Sequence, residues 1–132
     1  MFELEYVIGR SVGAVDFGSG VTLDLWRDVE GKPADLAKLE AGRVRYEPSG
    51  GPATELGAMV DDATRYAPLL AIYRSTVTAA RVHEDTNTLE LEFENGDRLT
   101  ALPMENVEGW QLAGPGTRLV VAVPGGNVAV WD

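Results

Sequence analysis

The chain has 132 residues, no cysteine, and 21 acidic against 11 basic side chains, for a net charge of −10. Disulfides, thiolate metal sites and cysteine nucleophiles are excluded, and so acidic a surface repels nucleic acid and anionic membranes, whose binding relies on Lys and Arg. With 45% hydrophobic residues the composition is that of a folded protein, and the length fits a single domain over 1–132.

From the N-terminus, Phe2, Leu4 and Tyr6 alternate with Glu3 and Glu5, which predicts a first strand with one wet face. The same acids stand where a secretory leader needs bases, and no apolar run approaches the ~20 residues that span a bilayer, so a cytoplasmic location is expected. Ile8-Gly9-Arg10-Ser11-Val12 is then echoed by Ile72-Tyr73-Arg74-Ser75-Thr76-Val77, with one residue inserted. Each echo runs on through an Ala, a small polar turn and an alternating apolar pair, Leu23 and Leu25 or Leu89 and Leu91. This pattern predicts two related β-hairpin units. Strands are expected at Ser11 to Phe17 and Val21 to Trp26, around the turn Gly18-Ser19-Gly20.

Arg27 to Pro33 reads as a surface connection, Ala34 to Glu40 as a short helix closed by Gly42, and Val44 to Tyr46 as a brief strand. Pro48-Ser49-Gly50-Gly51-Pro52 is a loop. The spacing Leu56, Met59/Val60, Ala63 and Tyr66/Ala67 predicts a helix from Glu55 that Pro68 ends or restarts. At Asn95-Gly96 the apolar pattern decides the register. A three-residue loop, Glu94-Asn95-Gly96, pairs Leu91 with Leu99 and Glu92 with Arg98, leaving one apolar and one charge-paired face. That loop predicts a type I turn with a left-handed Gly96. A C-terminal hairpin is expected from Leu119–Val123 and Val128–Trp131, apolar on both sides and so either central in a sheet or covered on both faces.

Few residues remain for chemistry. His83 is the one histidine, beside Glu84 and Asp85; without a second His or a Cys it reads as a surface residue near acids. Asp61 and Asp62 would point about 100° apart on a helix and cannot share one ion. Gly125-Gly126 lacks the downstream Lys and helix of a phosphate loop. Ser11 and Ser75 have no catalytic neighbours, and Trp110 is expected in the core at the start of a strand. Glu90, Glu92 and Glu94 project from one strand face, with Glu84, Asp85 and Asp97 close in sequence. This acidic ridge competes with the plainer reading of a solvated sheet face, neutralised in part by Arg81 and Arg98.

Glu105-Asn-Val-Glu-Gly-Trp-Gln-Leu-Ala-Gly-Pro-Gly116, with Leu119-Val-Val-Ala-Val-Pro-Gly-Gly-Asn-Val-Ala-Val-Trp131, resembles a family of small actinobacterial proteins of unknown function, DUF6188. Ala67-Pro-Leu-Leu70, Leu89-Glu-Leu-Glu-Phe-Glu-Asn-Gly96 and Ile8-Gly9-Arg10-Ser11-Val12 fit the same resemblance. These motifs are turns and core positions, so the resemblance implies a fold and transfers no catalytic residues. In style the chain is also similar to the immunity proteins of bacterial polymorphic toxin systems: small, acidic, cysteine-free and β-rich.

The expectation is an α+β, mainly antiparallel β domain: two related hairpin units and a C-terminal hairpin, with one or two short helices packed on the sheet, an up-and-down half-barrel being one arrangement. The expected function is non-catalytic protein binding, most concretely by an immunity protein that occludes the basic active site of a partner toxin. Partner-binding residues would be Glu90, Glu92, Glu94 and Asp97, with Glu105 and Glu108, and neither cofactor nor metal is expected. The alternative is an intracellular small-ligand-binding or regulatory module.

Overall fold

A computed structural model describes residues 1–18, 20–27, 36–57 and 63–132. The expected surface connection (beyond Arg27), Ser19 and the Asp61-Asp62 pair lie outside the described residues.

Among the described residues, two six-stranded antiparallel sheets share one core. The first runs, in spatial order, β1 (Phe2–Glu3), β7 (Val77–His83), β8 (Thr88–Phe93), β9 (Arg98–Ala101), β5 (Arg43–Glu47), β6 (Thr54–Gly57). The second runs β12 (Asn127–Trp131), β11 (Leu119–Val123), β10 (Trp110–Ala113), β4 (Ala37–Ala41), β3 (Val21–Trp26), β2 (Ser11–Phe17). Successive side chains of a strand point to opposite faces, so the alternating apolar residues line the inside. Leu23, Leu25, Leu39 and Leu112 from one sheet and Tyr46, Leu89, Leu91 and Leu99 from the other belong to one buried cluster.

The chain changes sheets between strands. β2, β3 and β4 form a meander in the second sheet, after which β5 and β6 cross to the first. β7, β8 and β9 form a meander in the first sheet, after which β10 and β11 cross to the second. The registers correspond. The β2–β3 ladder slips between Val12 and Ala14, and the β7–β8 ladder between Val77 and Ala79. Asp24 stands opposite Lys38 as Glu92 stands opposite Arg98.

Several expectations are corrected. The first strand stops at Glu3 and gives way to a 3-10 helix, Glu5–Val7. Ala37–Ala41 is a strand rather than a helix, because Leu23 and Leu112 flank Leu39 on both sides of the ladder and a strand buries all three. Thr54–Gly57 is likewise a strand, and the helical segment is a 3-10 helix, Ala63–Ile72, with Pro68 inside it. No described helix is long and apolar enough to cross a membrane. The loop Glu94-Asn95-Gly96 has the expected register, with Leu91 opposite Leu99 and Glu92 opposite Arg98. Gly96 N donates to Phe93 O at 2.9 Å, and Gly96 has φ +90°. The C-terminal strands form at the expected places; among the described strands β11 is central, as expected, whereas β12 has one neighbour and is an edge, with Val130 and Trp131 half exposed.

Candidate functional site

The expected ridge lies on the outer face of the first sheet, where its charges are met by neighbours. The ladder sets Arg81 opposite Glu90 and Arg98 opposite Glu92. Arg81 Nη1 donates to Glu90 Oε1 at 2.9 Å and to Glu92 Oε1 at 3.1 Å, and Arg98 Nη2 donates to Glu92 Oε1 at 3.1 Å. His83 Nε2 lies 3.6 Å from Glu90 Oε1. Burial alone would push the Glu90 carboxyl up; the Arg81 hydrogen bond and the charges of Arg98 and His83 outweigh it and hold the carboxyl below its ordinary range. These two glutamates therefore belong to a charge network within the sheet.

The other expected site residues are not gathered with them. Glu94 is exposed beyond the end of β8 and accepts from Thr76 N at 3.3 Å. Asp97 is 6% exposed and turned inward. It accepts from the Tyr46 hydroxyl, from Ser49 N at 2.8 Å and from Asn95 Nδ2 at 3.2 Å. Burial first, then the bond to Asp97 and its charge, raise the Tyr46 hydroxyl well above its ordinary value. Asp97 thus fastens the Asn95-Gly96 turn to β5 and to the Pro48-Ser49 loop. Glu105 and Glu108 are exposed on the loop before β10.

Glu108 borders a cleft of about 440 Å³ on the second sheet, which the sequence did not reveal. Asp16, Thr22, Glu40 and Gln111 are successive Cα partners across β2, β3, β4 and β10, and all four line the cleft. Val21, Leu23, Leu39 and Leu112 point inward from the same strands and are buried, so period-2 alternation turns this row to the outside. The loop from Met104 to Gly109 forms another wall, with Met104 37% and Val107 52% exposed. Two glycines permit the close approach. A Cβ on Gly20, whose φ is +129°, would lie 2.3 Å from Ala41 O, and one on Gly109 would lie 2.6 Å from Leu102 O.

Among the described residues, the cleft has three carboxylates, those of Asp16, Glu40 and Glu108, and neither Lys nor Arg on its walls. None of the ion pairs among the described residues involves these three acids. The electrostatic contrast with the Glu90–Arg81–Glu92–Arg98 face is therefore sharp. One acidic face is matched internally, and the other presents unmatched charge beside exposed apolar side chains. Trp110 is among the residues lining the cleft but is 1% exposed, with its indole N–H donating to Asn87 O at 2.9 Å. No three described His, Asp or Glu side chains converge closely enough to hold a metal ion. Three carboxylates with no Lys or Arg beside them among the described lining residues give the cleft a negative potential.

Asp16 and Glu40 escaped the sequence reading because their proximity depends on β4, a segment read as helical. The usable signal was the strand alternation Ala37, Leu39, Ala41.

No curated protein and no solved structure matches the chain. One family does, described as a family of unknown function, and its match runs from Leu4, just after β1, through β12. With residues 4–132 matched, the chain belongs to that family, DUF6188.

Proposed function

We propose that this chain is a non-catalytic binding protein that takes a basic segment of a partner protein into the cleft bordered by Asp16, Glu40 and Glu108. The observation that carries this reading is the cleft itself: about 440 Å³, three carboxylates, and no cation on its described walls. An unmatched acidic hollow steers and orients a Lys- or Arg-bearing segment, while Met104 and Val107 offer apolar contact to its stem. Glu105, on the same loop, extends the acidic rim. Glu90, Glu92 and Glu94 form a secondary face, because Arg81 and Arg98 already engage the first two.

In its most concrete form the protein is a cytoplasmic immunity protein, and the basic segment borders the active site of a toxin that it occludes. The acidic balance and the absence of a catalytic grouping in the sequence support this form. We further infer that the β2–β3 and β7–β8 hairpins are copies of one unit. Their corresponding bulges and charge pairs support that reading.

Affinity capture from the source cells at low and moderate salt, with mass spectrometry, tests the proposal. A basic protein retained by the wild type and by Glu90→Gln/Glu92→Gln, but lost with Asp16→Asn/Glu40→Gln, is the expected result. Protection of cells from that protein would support the toxin form. Loss only with the Glu90/Glu92 pair would move the site to the ridge. If no protein is retained, the same cleft favours the second reading, a module for a small cationic ligand, which would then raise the melting temperature.

A further inference from the structure

The edges of the two sheets are unequal. A free strand edge offers unpaired N–H and C=O groups, and folded proteins blunt such edges with short strands, charges, proline or bulges. At the first sheet's edges, β1 has two residues and β6 has four, Glu55 among them. In the second sheet β2 carries a bulge and Asp16, and Ser11 bridges to Thr76. β12 has none of these protections. Its five residues, Asn-Val-Ala-Val-Trp, include neither a charge nor a proline, and its register with β11 is unbroken. No described strand pairs with its other side, and Val130 and Trp131 are 50% and 53% exposed.

We infer that the β12 edge pairs antiparallel with β12 of a second copy of this chain, joining the two β12-bearing sheets into one continuous sheet. Charge argues for a second copy at this edge. The chain carries −10, and most faces of two copies would oppose like charges. Residues 127–131 oppose none. A two-fold axis through Ala129 sets Val128 opposite Val130 and Asn127 opposite Trp131 of the second copy. Asp132 then meets Gly126 rather than another acid. The contact is self-complementary and closes at two copies. Branched pairs and a Trp favour cross-strand packing. The axis is perpendicular to the sheet, so both acidic clefts open on the same side of the dimer. Five residues per copy bury well below the roughly 1,600 Å² of a standard interface, so the dimer is weak, with a dissociation constant on the order of tens of micromolar.

Sedimentation equilibrium tests this, at protein concentrations from about 1 to 500 µM in about 0.15 and 0.5 M NaCl. The expected result is a monomer–dimer equilibrium that tightens at high salt as the net repulsion is screened. Val130→Lys and, separately, Trp131→Lys raise the dissociation constant at least tenfold, with unchanged circular dichroism and melting temperature at low concentration. The chain has no cysteine, so Ala129→Cys adds a unique thiol on the proposed axis. Directly opposed antiparallel residues have Cα atoms about 4.5–5.5 Å apart, within disulfide range. Ala129→Cys should oxidise to a covalent dimer much faster than a Glu55→Cys control on β6. A chain monomeric throughout at both salts overturns the inference and leaves the edge to an extended segment of another protein. A dimer of equal strength in both Lys variants, or equal cross-linking of the two Cys variants, overturns it as well.

Discussion

Ser11 and Thr76 meet in an antiparallel bridge, and the backbone bonds around them are reciprocal. Val12 N donates to Ser75 O at 3.0 Å, and Val77 N donates to Arg10 O at 2.8 Å. Gly9 N donates to Val77 O, and Arg74 N to Val12 O, both at 2.8 Å. Gly9 and Arg74, which hold matching places in this exchange, have φ of +89° and +68°. The bridge joins the two sheets at the point where their first long strands begin.

That wiring predicts that neither half of the chain folds alone. Residues 1–62 hold β1 to β6 and residues 63–132 hold β7 to β12, and each half supplies three strands to each sheet. A lone half would leave two incomplete sheets without a shared core. The two fragments should be largely unfolded by circular dichroism and by amide proton dispersion. Mixed at equal concentration, they should regain the strand spectrum. Independent folding of 63–132 would contradict this account.

Asp97 and Tyr46 predict a second result. A buried carboxylate that loses its role leaves the Tyr46 hydroxyl, Ser49 N and Asn95 Nδ2 without their acceptor. Asp97→Ala should cost about 2–4 kcal/mol in urea denaturation. Tyr46→Phe removes one of these bonds and should cost about 1–2 kcal/mol. The double variant should be less destabilised than the sum, because the two residues share one network. Strict additivity would separate them.

The Glu90 network predicts a pH dependence. Its carboxyl is held below the ordinary range in the folded state, so it binds protons more readily when unfolded. The stability it supplies is present above the unfolded value, about 4.3, and is lost as pH falls through the folded value. Glu90→Gln should therefore lower stability near neutral pH by about 0.5–1 kcal/mol, since the side chain is 18% exposed and its partners more so. The gap between wild type and variant should narrow as pH falls below about 4. Urea midpoints measured from neutral to acidic pH give this directly, and a gap independent of pH would mean that the charge is not what Glu90 contributes.

What the sequence disclosed follows from where local and long-range preferences agree. The Leu91–Leu99 register was readable because alternation and the Asn95-Gly96 turn favour the same pairing. Burial of Trp110 and the strands at Ser11 to Phe17 and Val21 to Trp26 were readable for similar reasons. Ala37-Lys38-Leu39-Glu40-Ala41 was not, since all five are good helix formers. Their strand state is imposed by β3 on one side and β10 on the other. The misread strand also concealed the cleft, for Asp16 and Glu40 lie 24 positions apart in sequence and meet only through the β2–β3–β4 register. Asp97 was misplaced for another reason: a turn aspartate looks solvated until the Tyr46 hydroxyl, 51 residues away, is brought onto it.

The contrast between the two acidic faces leads to the remaining prediction. A cationic probe should choose unmatched carboxylates over matched ones, because Glu90 and Glu92 would have to give up Arg81 and Arg98 to receive it. A hexa-arginine peptide titrated into the isotope-labelled protein should shift the amides of Asp16, Glu40 and Glu108 first, with little effect on Glu90 and Glu92. Asp16→Asn with Glu40→Gln should weaken binding about 3- to 10-fold, as expected for two partly exposed ion pairs. Glu90→Gln with Glu92→Gln should change it less than about twofold. Added salt should weaken the wild type more than the cleft variant, since fewer charges remain there to screen. Shifts centred on Glu90 and Glu92 would mean that the Arg81 and Arg98 contacts are too weak to hold those carboxylates, and the docking face would return to the ridge.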